Sequence, residues 1–283
     1  MSAGDDLASG KGHRDENFPV ASFLIAPRHR PVVMAFYRVA RMADDIADHP
    51  TAPAAEKLAR LAAIDATLRG EADAVPEAVA LREIQTSLGL SGAHALDLME
   101  AFRRDVTKTR YEDWADLMDY CRYSAAPVGR FVLDVHGEDR ATWPASDALC
   151  AALQVINHLQ DCREDYLTLD RVYLPLDLMR VTGAPVECLG EEAPRPMLRA
   201  VIALLAVNTQ ALLKQARPLA GLVKDARVSM EVGVIQALAE SLDRRLIRRD
   251  PFTRAVRHGR IEMAAFAALG AARGALAPRP RAA

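Results

Sequence analysis

Helices throughout, gathered into one all-α bundle, are what the sequence predicts, and three observations carry the prediction. Aromatic residues make up only 5% of the 283-residue chain. Segments rich in Ala, Leu, Arg and Glu recur along its length, and the period-two alternation of half-buried strands is nearly absent. Gly and Pro then punctuate the helical segments, because proline cannot continue a helix interior and glycine readily ends one. A first helix is expected at 19–26, before Pro27, and a second over 28–48, stopped by His49-Pro50. The next is read over 53–69, ending at Gly70. Pro76 opens 76–88, which stops at Gly89, and Gly92 precedes 92–106. Long helices are expected over 113–137 and 146–168, the second following Pro144 with Ser146-Asp147 as its N-cap. A short helix at 175–180 runs up to Gly183-Ala184-Pro185. Helices at 195–217 (after Pro194), 225–248 (before Asp250-Pro251) and 260–274 complete the set.

Composition excludes several classes of function. Half the chain (51%) is hydrophobic and 26% is charged, so it is neither disordered nor fibrous. With 36 basic and 38 acidic side chains the net charge is −2, which offers no global electrostatic case for nucleic acid. Cys121, Cys150, Cys162 and Cys188 are scattered without a C-x-x-C pair, so neither zinc nor a disulfide framework is indicated and a reducing cytoplasm is expected. Residues 1–14 are polar and Gly-rich, without the apolar segment of a secretory signal. The longest uncharged apolar stretch, 200–207, is far shorter than the ~18 residues of a membrane span. With no repeat and no linker-like segment, one domain is expected over 17–275, flanked by flexible stretches at 1–16 and 276–283.

The densest chemistry is Arg41-Met42-Ala43-Asp44-Asp45-Ile46-Ala47-Asp48. Asp44 and Asp48 stand one helical turn apart on one face, with Arg41 on nearly the same stripe. Apolar neighbours cover much of the circumference, so the helix packs deeply, and like charges at this spacing persist there only beside a cation. A solvated acidic helix end is the competing reading, although acidic residues have the wrong sign for a helix C-terminus. A second ladder, Asn157, Asp161 and Asp165, again at i, i+4 spacing, supplies only oxygen donors. That chemistry suits Mg²⁺, which keeps several waters and bridges a few carboxylates to substrate phosphates. By itself the second ladder also reads as a mixed-charge surface helix, since Arg163 and Glu164 interleave with it. Two such ladders on separate helices favour a shared metal and diphosphate site.

Together the two ladders resemble the squalene/phytoene synthase family of all-α trans-isoprenyl diphosphate synthases. Two further stretches carry the resemblance, in consistent order over roughly 17–255: Tyr120-Cys121-Arg122-Tyr123-Ser124-Ala125-Ala126-Pro127-Val128-Gly129-Arg130, and Arg171-Val172-Tyr173-Leu174-Pro175. Within the family, Asn17-Phe18-Pro19-Val20-Ala21-Ser22, the Ala43 to Asp48 string and the Ser-Ala-x-Pro-Val-Gly-Arg string are similar to the bacterial branch that forms hydroxysqualene in hopanoid pathways. Ala126 stands where that branch leads one to expect Asn. Gln160 stands where synthases of phytoene and dehydrosqualene tend to carry Arg.

The resemblance implies that presqualene diphosphate is ionised, rearranged and captured by water, with Asp44, Asp48, Asn157, Asp161 and Asp165 holding Mg²⁺. It implies a catalytic role for Tyr120 and contacts to the diphosphate or prenyl chain from Ser22, Phe23, Phe36, Tyr37, Arg41, Ala125, Gly129, Gln160, Arg171 and Tyr173. Arg41 and Arg171 suit diphosphate because a guanidinium offers forked donors, and each equally suits a structural ion pair. Small and apolar residues such as Leu24, Val128 and Val132 would line a prenyl tunnel, or simply fill a core. No nicotinamide cofactor is expected, since Gly4 and Gly10-Lys11-Gly12 precede no strand-helix unit. The rivals are a synthase joining two prenyl diphosphates into presqualene diphosphate or phytoene, and a non-catalytic scaffold of the same fold. The arginines at 254, 257, 260, 273, 279 and 281 suit loose contact with the inner face of a membrane, against the plainer reading of a solvated tail.

Overall fold

The computed structural model describes residues 25–191, 196–252 and 255–278. Among them lie twelve α-helices and no strand; the one isolated bridge pairs Arg110 with Val172 in parallel. The helix expected at 19–26 falls almost wholly outside the described residues, and Ile25 to His29 forms bends and turns.

Four helices build the first half. They are α1 (Arg30–Ala47), with Pro31 in its first turn, α2 (Ala54–Arg69), closed by left-handed Gly70 at φ 78°, α3 (Pro76–Ser87) and α4 (Ala93–Thr107). Their apolar stripes meet in one cluster in which Leu61, Ile64, Leu81 and Met99 are fully buried. Each such side chain contributes about 1.5–3 kcal/mol relative to exposure.

The helix expected over 113–137 is instead two: α5 (Trp114–Ser124) and α6 (Ala126–Val135). Pro127 is the cause, because it has no N–H to give and its ring would collide with the Tyr123 carbonyl one turn back. Asp113 caps α5 by accepting from the Asp116 amide. Phe131 of α6 stacks on Phe36 of α1 at 3.9 Å between ring centroids, tying the first cluster to the second half.

The long helix α7 (Trp143–Leu169) begins three residues earlier than expected, with Pro144 in its first turn where a missing N–H costs nothing. Ser146 and Asp147 therefore do not cap it: Ser146 is buried inside the helix, and Asp147 accepts a bidentate pair from Arg130. Left-handed Asp170 ends α7, and the chain turns back so that Val172 N donates to Thr109 O at 2.8 Å.

The remainder is α8 (Leu176–Thr182), α9 (Pro196–Ala216), α10 (Leu219–Leu222), α11 (Ala226–Arg248) and α12 (Arg260–Leu276). By length and mean hydropathy alone the α9–α10 segment could cross a membrane. Yet α9 packs on α7 and α11 and buries Leu198, Val201, Ile202, Leu205 and Leu213 in the second apolar cluster, as a core helix does.

Candidate active site

The last two turns of α1 and its C-cap hold Arg41, Asp44, Asp45 and Asp48. Arg41 donates to Asp44 at 2.9 Å and to Asp45 at 2.5 Å. Burial, then the Asp48 carboxylate, pushes the Asp44 carboxyl up to about 7 against the opposing pull of Arg41. Arg41 therefore does not offset the burial and the neighbouring charge felt by Asp44.

Asp48 accepts from Arg171 Nη1 at 2.5 Å. Arg171 is only 5% exposed, and its other donors also meet protein: Nε reaches the Asp105 carbonyl at 3.0 Å and Nη2 the Ala47 carbonyl at 3.1 Å. The expected diphosphate clamp is in this structure a tie between α1, α4 and the segment after α7.

Asp105 sits at the centre. The Tyr120 hydroxyl donates to its Oδ2 at 3.0 Å and the Tyr173 hydroxyl to its Oδ1 at 3.1 Å. Burial raises the Asp105 carboxyl, opposed by Arg171 and the phenols. The Tyr111, Tyr120 and Tyr173 rings lie 5.3–5.5 Å apart, and burial raises all three phenols. His158 stacks on Tyr173 at 3.6 Å, with its Nδ1 4.0 Å from Asp165.

A continuous run of contacts therefore leads from the first acidic ladder to the second: Asp48, Arg171, Asp105, Tyr173, His158, Asp165. On α7, burial and then Asp165 raise the half-buried Asp161, while Arg257 stands 3.8 Å from it. Asn157 lies half-buried on the same helix. Gln160 donates to the Val256 carbonyl ahead of α12, leaving its Oε1 buried without a partner.

Other expected contacts fare differently. Phe36 and Ala125 are buried, and Tyr37 is half-buried on α1. Gly129 serves packing: a Cβ there would fall 2.5 Å from Ser146 Oγ and 2.6 Å from Cys150 Sγ, so glycine lets α6 lie against α7. Ser22, Phe23 and Leu24 lie outside the described residues. A cavity of about 650 Å³ between α9, α10, α11 and α12 is walled by none of the residues expected to line a prenyl tunnel.

The sequence reading missed Asp105 and His158. The signal for Asp105 was present, since it falls on the stripe of Leu98, Ala101 and Phe102, where a core helix presents apolar side chains. His158 sits between Val155, Leu159 and Cys162 on the buried face of α7, and nothing in its spacing set it apart.

Among the described residues no three His, Cys, Asp or Glu side chains converge to hold an ion by themselves. The donor chemistry nevertheless fits a hard divalent cation shared with a diphosphate. The donors are all oxygens, and burial and the Asp48 charge keep the Asp44 carboxyl raised even though Arg41 pairs with Asp44 and Arg171 with Asp48.

An all-α core with two acidic helix ladders bordering one buried tyrosine cluster defines an isoprenoid diphosphate synthase fold. A crystal structure of squalene synthase HpnC from Alicyclobacillus acidocaldarius is similar at TM-score 0.71 and 34% identity, over 81% of this chain and 87% of that one. A dehydrosqualene synthase in complex with ligand shares the fold at TM-score 0.68 and 21% identity, over 87% of each chain. The squalene/phytoene synthase profile matches residues 12–265, and the chain belongs to that family. Hydroxysqualene synthases of Rhodopseudomonas palustris and Zymomonas mobilis are 53% and 52% identical. They cover 95% and 94% of this chain, which spans 93% and 90% of their lengths. The phytoene synthase of Thermus thermophilus is 34% identical over half of this chain.

Proposed function

We propose that this enzyme converts presqualene diphosphate to hydroxysqualene. The observation that carries the reading is the unbroken run of contacts from Asp48 to Asp165, which sets both acidic ladders around one cluster of tyrosines. Relatives more than half identical over nearly the whole chain are named hydroxysqualene synthases, which supports the product.

Asp44, Asp48, Asp161 and Asp165, with Asn157 as a neutral oxygen donor, would hold Mg²⁺. When bound, Mg²⁺ supplies Lewis-acid neutralisation of the diphosphate leaving group. Arg41, anchored at both Asp44 and Asp45, keeps a guanidinium beside that group. Departure of diphosphate would leave a cyclopropylcarbinyl cation, which must be kept from water until it rearranges. Tyr111, Tyr120 and Tyr173, packed on one another and on His158, would form an electron-rich wall beside that cation while it rearranges. Asp105 fixes the Tyr120 and Tyr173 hydroxyls, so the phenols cannot swing in as premature nucleophiles. Water then adds to the allylic cation and loses a proton, giving the alcohol without a reductant. Residues 17–275 would form the catalytic unit, with 1–16 and 276–283 as extensions, working in the cytoplasm at the inner face of a membrane.

Joining two farnesyl or geranylgeranyl diphosphates is the second reading. Gln160 bears on it, since an amide bound to the Val256 carbonyl replaces a cation beside Asp161. Purified protein with Mg²⁺, presqualene diphosphate and no NADPH, in water enriched with ¹⁸O, is expected to yield hydroxysqualene carrying the label. Unchanged substrate, or product formed only from two separate prenyl diphosphates, would overturn the assignment.

A further inference from the structure

Helix α12 is apolar on its outer face, where a surface helix of a water-soluble protein is ordinarily polar. Its inner side is held tightly: a Cβ on Gly270 would run into Gly233 of α11, one on Gly274 would run into Ser229, and Ser229 Oγ donates to the Gly274 carbonyl at 2.7 Å. The helix is therefore fixed in place, and its outer face is a designed presentation, not a frayed end.

That outer face has no polar residue. At 100° per residue, Ile261, Ala264, Ala265, Ala268, Leu269, Ala272, Ala275 and Leu276 fill one continuous arc opposite the Gly270–Gly274 seam. Ile261 is 87%, Leu269 45% and Leu276 85% exposed, so the arc leaves large aliphatic side chains open along its whole length. The charged residues of α12 flank the arc: Arg260 on one side, and Arg273 with Glu262 on the other. Glu262 is neutralised by Arg245 at 3.0 Å.

Charge selects the occupant. Residues 244–283 carry ten arginines and two carboxylates in a chain whose net charge is −2. A second copy of the chain docking by its own α12 would bring two such arginine-rich regions together. An anionic lipid surface accepts both the apolar arc and its arginine border.

We propose that α12 is the seat of the enzyme on an anionic membrane, with Ile261, Leu269 and Leu276 entering the lipid boundary and Arg260 and Arg273 meeting headgroup phosphates. The proposal rests on the reading that substrate and product are membrane-soluble prenyl lipids, which a seated enzyme would exchange without crossing water.

The test is sedimentation of the full chain with vesicles of phosphatidylglycerol and phosphatidylethanolamine at low salt. Vesicles of phosphatidylcholine, an Ile261→Glu/Leu276→Glu variant and an Arg260→Gln/Arg273→Gln variant serve as comparisons. Wild type is expected on the anionic vesicles, with each double variant weakened at least about tenfold and the arginine variant less responsive to added salt. Far-ultraviolet circular dichroism confirms folding, and turnover of detergent-dispersed presqualene diphosphate is expected to be unchanged, since neither pair touches the acidic ladders. Failure of wild type to bind, or equal binding by the Ile261→Glu/Leu276→Glu variant, overturns the proposal. So does a dimer in light scattering that this variant dissolves, which would assign the face to a second copy. Normal vesicle binding with no turnover of dispersed substrate would overturn the assigned reaction instead and leave the seat standing.

Discussion

Replacing Asp105 with Ala isolates the polar hub. The carboxylate accepts from both the Tyr120 and the Tyr173 hydroxyl, and both phenols are buried. In Asp105→Ala each buried donor loses its acceptor, at about 1–3 kcal/mol apiece. Against this stands relief of a carboxyl whose burial disfavours its charge, as its raised pKa shows. The donor losses outweigh that relief, because Arg171 and two phenols already offset it, and a net loss of about 3 kcal/mol is expected. Urea unfolding followed by circular dichroism measures it. The triple variant Asp105→Ala/Tyr120→Phe/Tyr173→Phe, which removes donors together with acceptor, is expected to recover at least about half of that loss, since deleting both sides of a buried hydrogen bond is far milder than orphaning one. A loss below ~1 kcal/mol in the single variant, or no recovery in the triple, would refute the hub.

Gly129→Ala places a methyl against Ser146 and Cys150 and should cost about 1–3 kcal/mol by overpacking, read as a lowered Tm; an unchanged Tm would mean that α6 and α7 are free to separate. For the buried Asp243, held up to about 7 by desolvation, the folded pKa lies above the ordinary value of 3.8. Its protonated form is thus favoured by folding, that stability is fully present below pH ~4 and is lost as pH rises through about 7. The Tm of wild type should accordingly fall relative to Asp243→Asn between pH 5 and 8, and parallel curves would contradict this. Because Asp44 titrates at about 7 before any cation binds, Mg²⁺ binding in the presence of inorganic diphosphate should strengthen from pH 6 to 8 and release protons, as calorimetry in buffers of different ionisation enthalpy can show. Binding indifferent to pH would place the metal elsewhere.

Helix positions were legible because Gly and Pro mark their ends chemically: α2 closes on Gly70 and α3 opens on Pro76, as read from sequence. The break between α5 and α6 was equally written in Pro127, but an apolar run continuing on both sides masked it. In the site, the spacing of Asp44 and Asp48 and of Asp161 and Asp165 identified two carboxylate ladders, since i, i+4 geometry needs no tertiary knowledge. What joins them was not legible. In sequence Arg171 reads equally as a diphosphate donor or an ion-pair partner, and only the fold shows Asp48, Ala47 and Asp105 as its partners and α7 lying against Gly129. Both depend on residues far apart in sequence, where local pattern carries no information.

The most direct measurement is a crystal structure of the protein with Mg²⁺ and a non-hydrolysable thiodiphosphate analogue of its prenyl substrate. Metal ions bridging one diphosphate to the Asp44/Asp48 pair and to the Asp161/Asp165 pair, with the prenyl chain leading past Tyr120, is the predicted result. A diphosphate held by one ladder alone, or metal bound away from both, would contradict it.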